Sequence, residues 1–177
     1  ALTQFTVVLD FMVMSPLGDL LMKDLQVKPY QFGIVVSSYA LAAGLSGFLT
    51  AGFADRFDRK RLLVFFYSGF IIGTMFCGLA QSYEQLVMAR IFTGIFGGVM
   101  SSISMAIVAD LFALQQRGRV MGFMQMGFGL SQILGIPISL YIAAKSNWQM
   151  PFYMIVVLSL TMLVLILFGL TPVRAHL

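Results

Sequence analysis

Six long apolar stretches alternate with short polar breaks along the chain, over residues 2–21, 30–54, 62–80, 85–112, 120–143 and 150–170. Each is close to the roughly 20 residues a helix needs to cross a hydrocarbon core of about 30 Å. The breaks, at 23–29, 55–61, 81–84, 114–119 and 144–149, are short, so neighbouring helices are expected to run antiparallel. Pro29 and Pro151 fall at helix first turns, where a missing N–H costs little. The stretches are not equivalent. Residues 150–170 are bulky and apolar all round, interrupted only by Ser159, Thr161 and Gly169; such a helix can face lipid on most sides. The second, fourth and fifth stretches carry small residues four apart: Ala43, Gly47 and Ala51; Gly94, Gly98 and Ser102; Gly127, Ser131 and Gly135. Ladders of this kind let membrane helices approach closely, so these three helices are expected inside the bundle.

Composition agrees with the pattern. Hydrophobic residues make up 59% of the chain and charged ones 10%, with a mean hydropathy of +0.93. A soluble surface needs about 25% charged residues, so the surrounding solvent is expected to be largely lipid. The net charge of +4 does not indicate nucleic acid, because the basic residues sit in the short breaks. Their distribution orients the protein instead. The second, fourth and terminal breaks hold seven: Arg56, Arg59, Lys60, Arg61, Arg117, Arg119 and Arg174. The other three breaks hold Lys23, Lys28 and Lys145. Both termini are therefore expected in the cytoplasm of a cell (plasma or inner) membrane protein.

Ionisable groups inside hydrocarbon usually face a polar cavity or a partner. Three stand out: Asp10 in the first span, Arg90 in the fourth and Asp110 at the fourth span's cytoplasmic end. Asp10 lies about 12 Å into its helix, and Arg90 about 7 Å from the outer end of its own. The depths differ and the tilts are unknown, so the sequence leaves a direct pair open. Arg90, Thr93, Gly97, Ser101 and Ser104 recur at steps of three and four, forming one polar or small stripe. Gln125 and Gln132 share a face of the fifth span, and Ser38 and Tyr39 are the polar candidates of the second. These faces are expected to line a central cavity. Asp10 reads either as a proton-carrying carboxyl or as a carboxylate fixed by Arg90 for architecture alone, and Arg90 divides in the same way. Cys77 and His176 are single residues of their kind, so no metal site and no disulfide framework is expected. A catalytic constellation and the phosphate-binding loop of a primary pump are both missing. The expectation is no enzyme and no cofactor.

Motifs add a resemblance. The segment Ala51-Gly-Phe-Ala-Asp55-Arg56-Phe-Asp58-Arg59-Lys60-Arg61 resembles the G-x-L-A-D-R-x-G-R-R/K loop of the major facilitator superfamily, with Asp55, Arg56, Arg59 and Lys60 matching. Ala51, Phe53 and Asp58 replace the first Gly, the Leu and the second Gly. Leu86-x-x-x-Arg90-x-x-x-Gly94 is similar to that family's L-x-x-x-R-x-x-Q-G motif, with Thr93 for Gln. Gly135-Ile-Pro137-Ile-Ser139 is similar to the G-x-P-x-G segment of drug and sugar exporters. Asp10-Phe11 with Asp19, and Trp148 four residues before Phe152, resemble the arabinose/sugar-efflux (drug:H+ antiporter-like) branch.

The resemblance implies an all-α membrane protein, residues 1–177 forming one half of a major facilitator fold, with inverted three-helix repeats over about 1–81 and 82–171. It implies proton-coupled export of a small organic solute by alternating access, with uptake or a non-transporting sensor or assembly role as alternatives. It assigns proton coupling to Asp10 and Arg90, a conformational role to Asp55, Arg56, Arg59, Lys60 and Asp110 with Arg59 pairing to Asp110, and a bend to Gly135 and Pro137. Tyr39, Thr93, Ser101, Gln125 and Gln132 remain the cavity-lining candidates. The expected partners are a small-molecule substrate, a proton, the lipid bilayer, and either a C-terminal six-helix half or a second copy in a homodimer.

Overall fold

The computed structural model describes residues 2–50 and 57–169. Among them the chain is helical and contains no strand. Five helices, or continuous helical segments, are long and apolar enough to cross a membrane, and the bent pair at the N-terminus, taken together as one span, makes a sixth. Asp55 and Arg56, and the terminal segment with Arg174 and His176, lie outside the described residues.

The first span is not one helix, as the hydropathy predicts, but two. Helix α1 (Leu2–Val13) and helix α2 (Gly18–Asp24) meet at 56°. Pro16 explains the break: it has no N–H for the carbonyl of Met12, and its ring disfavours helical backbone at Ser15. Helix α2 ends in a Schellman turn, Val27 N–H donating to the Met22 carbonyl at 3.2 Å. Gln26 takes the left-handed position there, with φ 51°, where glycine is usual.

Helix α3 (Pro29–Thr50) forms the second span and α4 (Arg59–Leu79) the third. Helix α4 starts three residues earlier than predicted because Asp58 caps it, accepting from Lys60 N–H at 2.8 Å and Arg61 N–H at 3.4 Å. The residue that replaces the family's glycine is thus a helix N-cap. Helix α5 (Tyr83–Leu111) is capped by Ser82.

The fifth span begins six residues before its predicted start. Helix α6 (Leu114–Leu130) absorbs the expected loop at 114–119, leaving Phe112 and Ala113 as extended linkers. Arg117 makes this tight connection work, donating from Nη2 to the Ala109 carbonyl at 2.5 Å and from Nε to the Phe112 carbonyl at 3.0 Å. Those are orphan acceptors at a helix C-terminus. A π-turn (Ser131–Gly135) then leads into α7 (Ile136–Lys145) without interruption, and α8 (Met150–Gly169) is the sixth span. The π-turn stands where the bend was expected, with Ile136 N–H reaching the Ser131 carbonyl five residues back. Pro137 supplies no N–H for the carbonyl of Ile133.

Packing redistributes the helices relative to the small-residue reading. The most extensive contacts are α3 with α5 and α4 with α5. Gly94 lies against the Tyr39 backbone and Ala42, and Gly98 against the Ala43 backbone, so the Ala43 and Gly94–Gly98 ladders form one close seam. Yet the most covered span is the third. Of its most apolar stretch 61% is buried, against 28% for α3, for the α6–α7 segment and for α8. Its signal was a further ladder, Gly69, Gly73 and Cys77, which faces Phe96, Thr93 and the core. Helices α6 and α7 bury only a narrow strip, Met124, Gly127, Ser131, Gly135, Ser139 and Ala143.

Candidate functional site: a buried ion pair at the break in the first span

Asp10 sits in the last turn of α1, just before the break, where helix carbonyls begin to lack partners. Arg90 comes from the second turn of α5, eighty residues away, and reaches into that space. Its Nη1 lies 2.8 Å from Asp10 Oδ2, and Nη1 and Nη2 each donate to the Asp10 backbone carbonyl at 3.3 Å. One guanidinium thus neutralises a side chain and satisfies a helix-end carbonyl. Both residues are almost completely enclosed, at 0% and 1% exposure. A pair with so little solvent loses hydration on both sides and is held by geometry and by its remaining neighbours. The Asp10 Oδ1 and Arg90 Nε atoms make no hydrogen bond to protein.

Aromatic rings complete the enclosure. The guanidinium carbon lies 5.7 Å from the Tyr39 ring centre and 5.1 Å from that of Phe152, both within cation–π range. Tyr39 is in turn stacked on Phe11 at 5.3 Å. Thr74 stands beside the Asp10 carboxyl, its hydroxyl donating to the Phe70 carbonyl at 3.0 Å. Thr93 donates to the Ala89 carbonyl at 2.7 Å and meets Cys77 Sγ at 3.7 Å.

The structure therefore brings Asp10, Arg90 and Tyr39 into one cluster, with Thr93 one turn from Arg90. The stripe on α5 faces inward, towards α1, α3 and α4. Ser101 is farther along it and exchanges hydrogen bonds with Gln4 of α1, at 3.1 and 3.3 Å. Gln125 and Gln132 are exposed on the fifth span and are not part of this cluster. Gly135 packs against Leu9, the neighbour of Asp10, so the π-turn of span five bears on the helix that carries the carboxylate. Thr74, Phe152 and Gln4 were not singled out by sequence as members of this cluster or its extensions. Phe152 had a trace in its spacing from Trp148; Gln4 and Thr74 had none beyond being polar residues in apolar helices.

At the basic end, Arg59 Nε lies 3.1 Å from Asp110 Oδ2. Arg59 opens α4 and Asp110 closes α5, so each charge sits at the unfavourable pole of its own helix dipole. The partner offsets this on both sides. Lys60 Nζ donates to the Leu167 carbonyl at 3.0 Å, tying the start of α4 to the end of α8.

The surface of the described residues also carries two apolar grooves. One, of about 590 Å³, runs between α4 and α5 past Phe76, Met88 and Phe92. The other, of about 400 Å³, lies at the basic end between Leu63, Ile107, Phe123 and Met162. Neither is lined by Asp10 or Arg90.

The sequence model described as Major Facilitator Superfamily matches residues 1–177. Multidrug resistance protein 3 of Bacillus subtilis (strain 168) is 34% identical over 123 residues, covering 70% of this chain and 24% of that protein. The uncharacterized MFS-type transporter YceJ of the same strain is 31% identical over 162 residues, covering 92% and 41%. In structure the chain is similar to the inward-open xylose transporter XylE from E. coli, with a TM-score of 0.85, 21% identity and coverage of 98% and 47%. The chain spans about a quarter to two fifths of the length of these two curated relatives.

Proposed function

The chain belongs to the major facilitator superfamily, and from that premise we propose that it forms the N-terminal half of a secondary active transporter that exports a small organic solute in exchange for protons. Alternating access of two six-helix bundles provides the mechanism. The observation that carries the reading is the Asp10–Arg90 pair, 2.8 Å long and shut away from solvent at a break in the first span.

A carboxylate in that position is held charged by its cation and disfavoured by its dry surroundings, two opposing influences of large size. Opening the bundle to water at either end changes both. Proton transfer to Asp10 removes the charge that Arg90 answers and releases the guanidinium from the orientation which that charge demanded. Release to the other side restores the pair. The break at 14–17 and the π-turn against Leu9 supply the irregular backbone around which α1 and the fifth span shift. Arg59 and Asp110 pin one closed arrangement at the basic end, a role that Asp55 and Arg56 of the same motif are proposed to share. The excess of Lys and Arg at that end supports a cytoplasmic location for it and for both termini.

A partner bundle is part of the reading. Ile34, Leu41, Leu45, Phe48 and Leu49 on α3, and Phe123, Met126, Ile133, Leu134 and Tyr141 on the fifth span, are exposed in this half alone. A C-terminal six-helix half, or a second copy, covers one part of such a surface and lipid the rest. Gln125 and Gln132 then face the shared cavity and its solute.

The test uses the full-length protein in proteoliposomes, with a pH-sensitive dye inside and ethidium as first probe, chosen because Multidrug resistance protein 3 is a relative. A panel of sugars and small organic acids follows. Solute-dependent proton movement that disappears in Asp10→Asn and Arg90→Ala is the expected result. Wild-type proton movement in both variants, or none with any solute in the panel, removes the reading.

A further inference from the structure

Arg90 is held by more than its carboxylate, and the additional support leads to the surface. The Phe152 ring under the guanidinium is itself contacted by Trp148, one turn earlier, edge to face at 6.2 Å and 83°. Trp148 is 2% exposed and Phe152 0%. The indole Nε1 donates to Asp24 Oδ2 at 2.6 Å, a charge-assisted bond to the last residue of α2. A buried indole N–H needs such an acceptor, and here the acceptor is an exposed carboxylate across 124 positions of sequence. The same stretch is pinned to the end of α4: Gln149 Nε2 donates to the Ala80 carbonyl at 3.2 Å and Tyr153 hydroxyl to the Gly78 carbonyl at 2.9 Å. The start of span six is thereby fixed to two neighbours, and the ring it presents to Arg90 has little freedom.

We propose that Trp148 and Phe152 are positioning residues for the buried ion pair. Asp24 fixes the indole, the indole fixes the Phe152 ring, and the ring holds the guanidinium in the orientation that meets Asp10. The column Asp24–Trp148–Phe152–Arg90–Asp10 connects the outer surface of the bundle to its buried charges. Its consequence for transport rests on the function proposed above; its geometry does not.

The two are tested separately. Thermal unfolding of the full-length protein in mild detergent is measured for Phe152→Leu in two backgrounds, the native Asp10 and Asp10→Asn. With the charge in place, loss of the ring face is expected to lower Tm by about 2–4 °C. In the Asp10→Asn background the orientation of Arg90 matters less, and the drop is expected to be under half as large. Phe152→Tyr, which keeps a ring face, is expected to stay near its parent, and Asp24→Asn, which keeps an acceptor, to stay closer than Asp24→Ala. Equal drops for Phe152→Leu in both backgrounds overturn the proposal, since a residue that only fills space is indifferent to the charge on Asp10. In proteoliposomes Phe152→Leu is expected to slow ethidium turnover about tenfold at unchanged KM. A raised KM at unchanged turnover instead assigns the ring to solute binding and equally overturns it. If Asp10→Asn transports normally, the proton-coupled reading falls, while the stability comparison still decides the positioning claim.

Discussion

At the scale of single residues the pair is the most consequential feature of the molecule. Two charges taken out of water cost several kcal/mol each, recovered only through close geometry. Removing one partner therefore costs more than removing both. Arg90→Met strands a buried carboxylate and is expected to destabilise the protein by about 3–5 kcal/mol, while Asp10→Leu combined with Arg90→Met recovers most of that loss. Denaturation in detergent, followed by circular dichroism, distinguishes the cases. A double variant no more stable than Arg90→Met alone means the pair is not the balanced unit described. Transport is expected to stay lost in the rescued double variant, because a fold repaired with apolar side chains has no group left to carry a proton.

At the scale of elements, close approach and end chemistry decide the outcome. Helices α3 and α5 meet where Gly98 touches the Ala43 backbone, so there is no room for a branched side chain. Gly98→Val is expected to separate the two helices at a cost of about 1–3 kcal/mol, read as a lower Tm and as new protease sensitivity. A Tm equal to the parent's places the seam elsewhere. The Schellman turn closing α2 offers the opposite experiment. Gln26 holds φ 51°, a conformation that costs a residue with a Cβ about 1 kcal/mol relative to glycine. Gln26→Gly is expected to raise the Tm slightly and to leave transport intact.

At the scale of the whole molecule, orientation is the open physical quantity, and the single cysteine helps to measure it. Cys77 is fully buried, so it gives little background to a membrane-impermeant thiol reagent. Arg119→Cys at the basic end is expected to react only from the cytoplasmic side of cells or inverted vesicles. Lys145→Cys, where the native ammonium rests 4.6 Å from the Tyr141 ring centre, is expected to react only from outside. Labelling of both from one side contradicts the six-span topology, and the reverse pattern contradicts the charge-based orientation.

Local sums were legible in the chain itself. Hydropathy accumulates residue by residue, so the number of spans, their order and their approximate limits followed from apolar runs long enough to cross a bilayer. The polar exceptions followed for the same reason: Asp10, Arg90 and Asp110 are costly where they stand and announce themselves. Ends were less legible. The start of α6 depended on Arg117 folding back to two carbonyls of α5, and the break in the first span on Pro16 outweighing a continuous apolar pattern. Relations between helices were legible only in part: the Arg59–Asp110 pair and the close approach at Ala43 and Gly98 were expected, and the partners of the other buried groups were not. Whether Asp10 met Arg90 depended on the rotation and depth of two helices eighty residues apart, which side-chain packing sets through α3, α4 and α8. The same packing made the third span the most covered, left Gln125 and Gln132 exposed in this half, and put Phe152 beneath the guanidinium. A periodic pattern names the face of a helix; only its neighbours decide what that face meets.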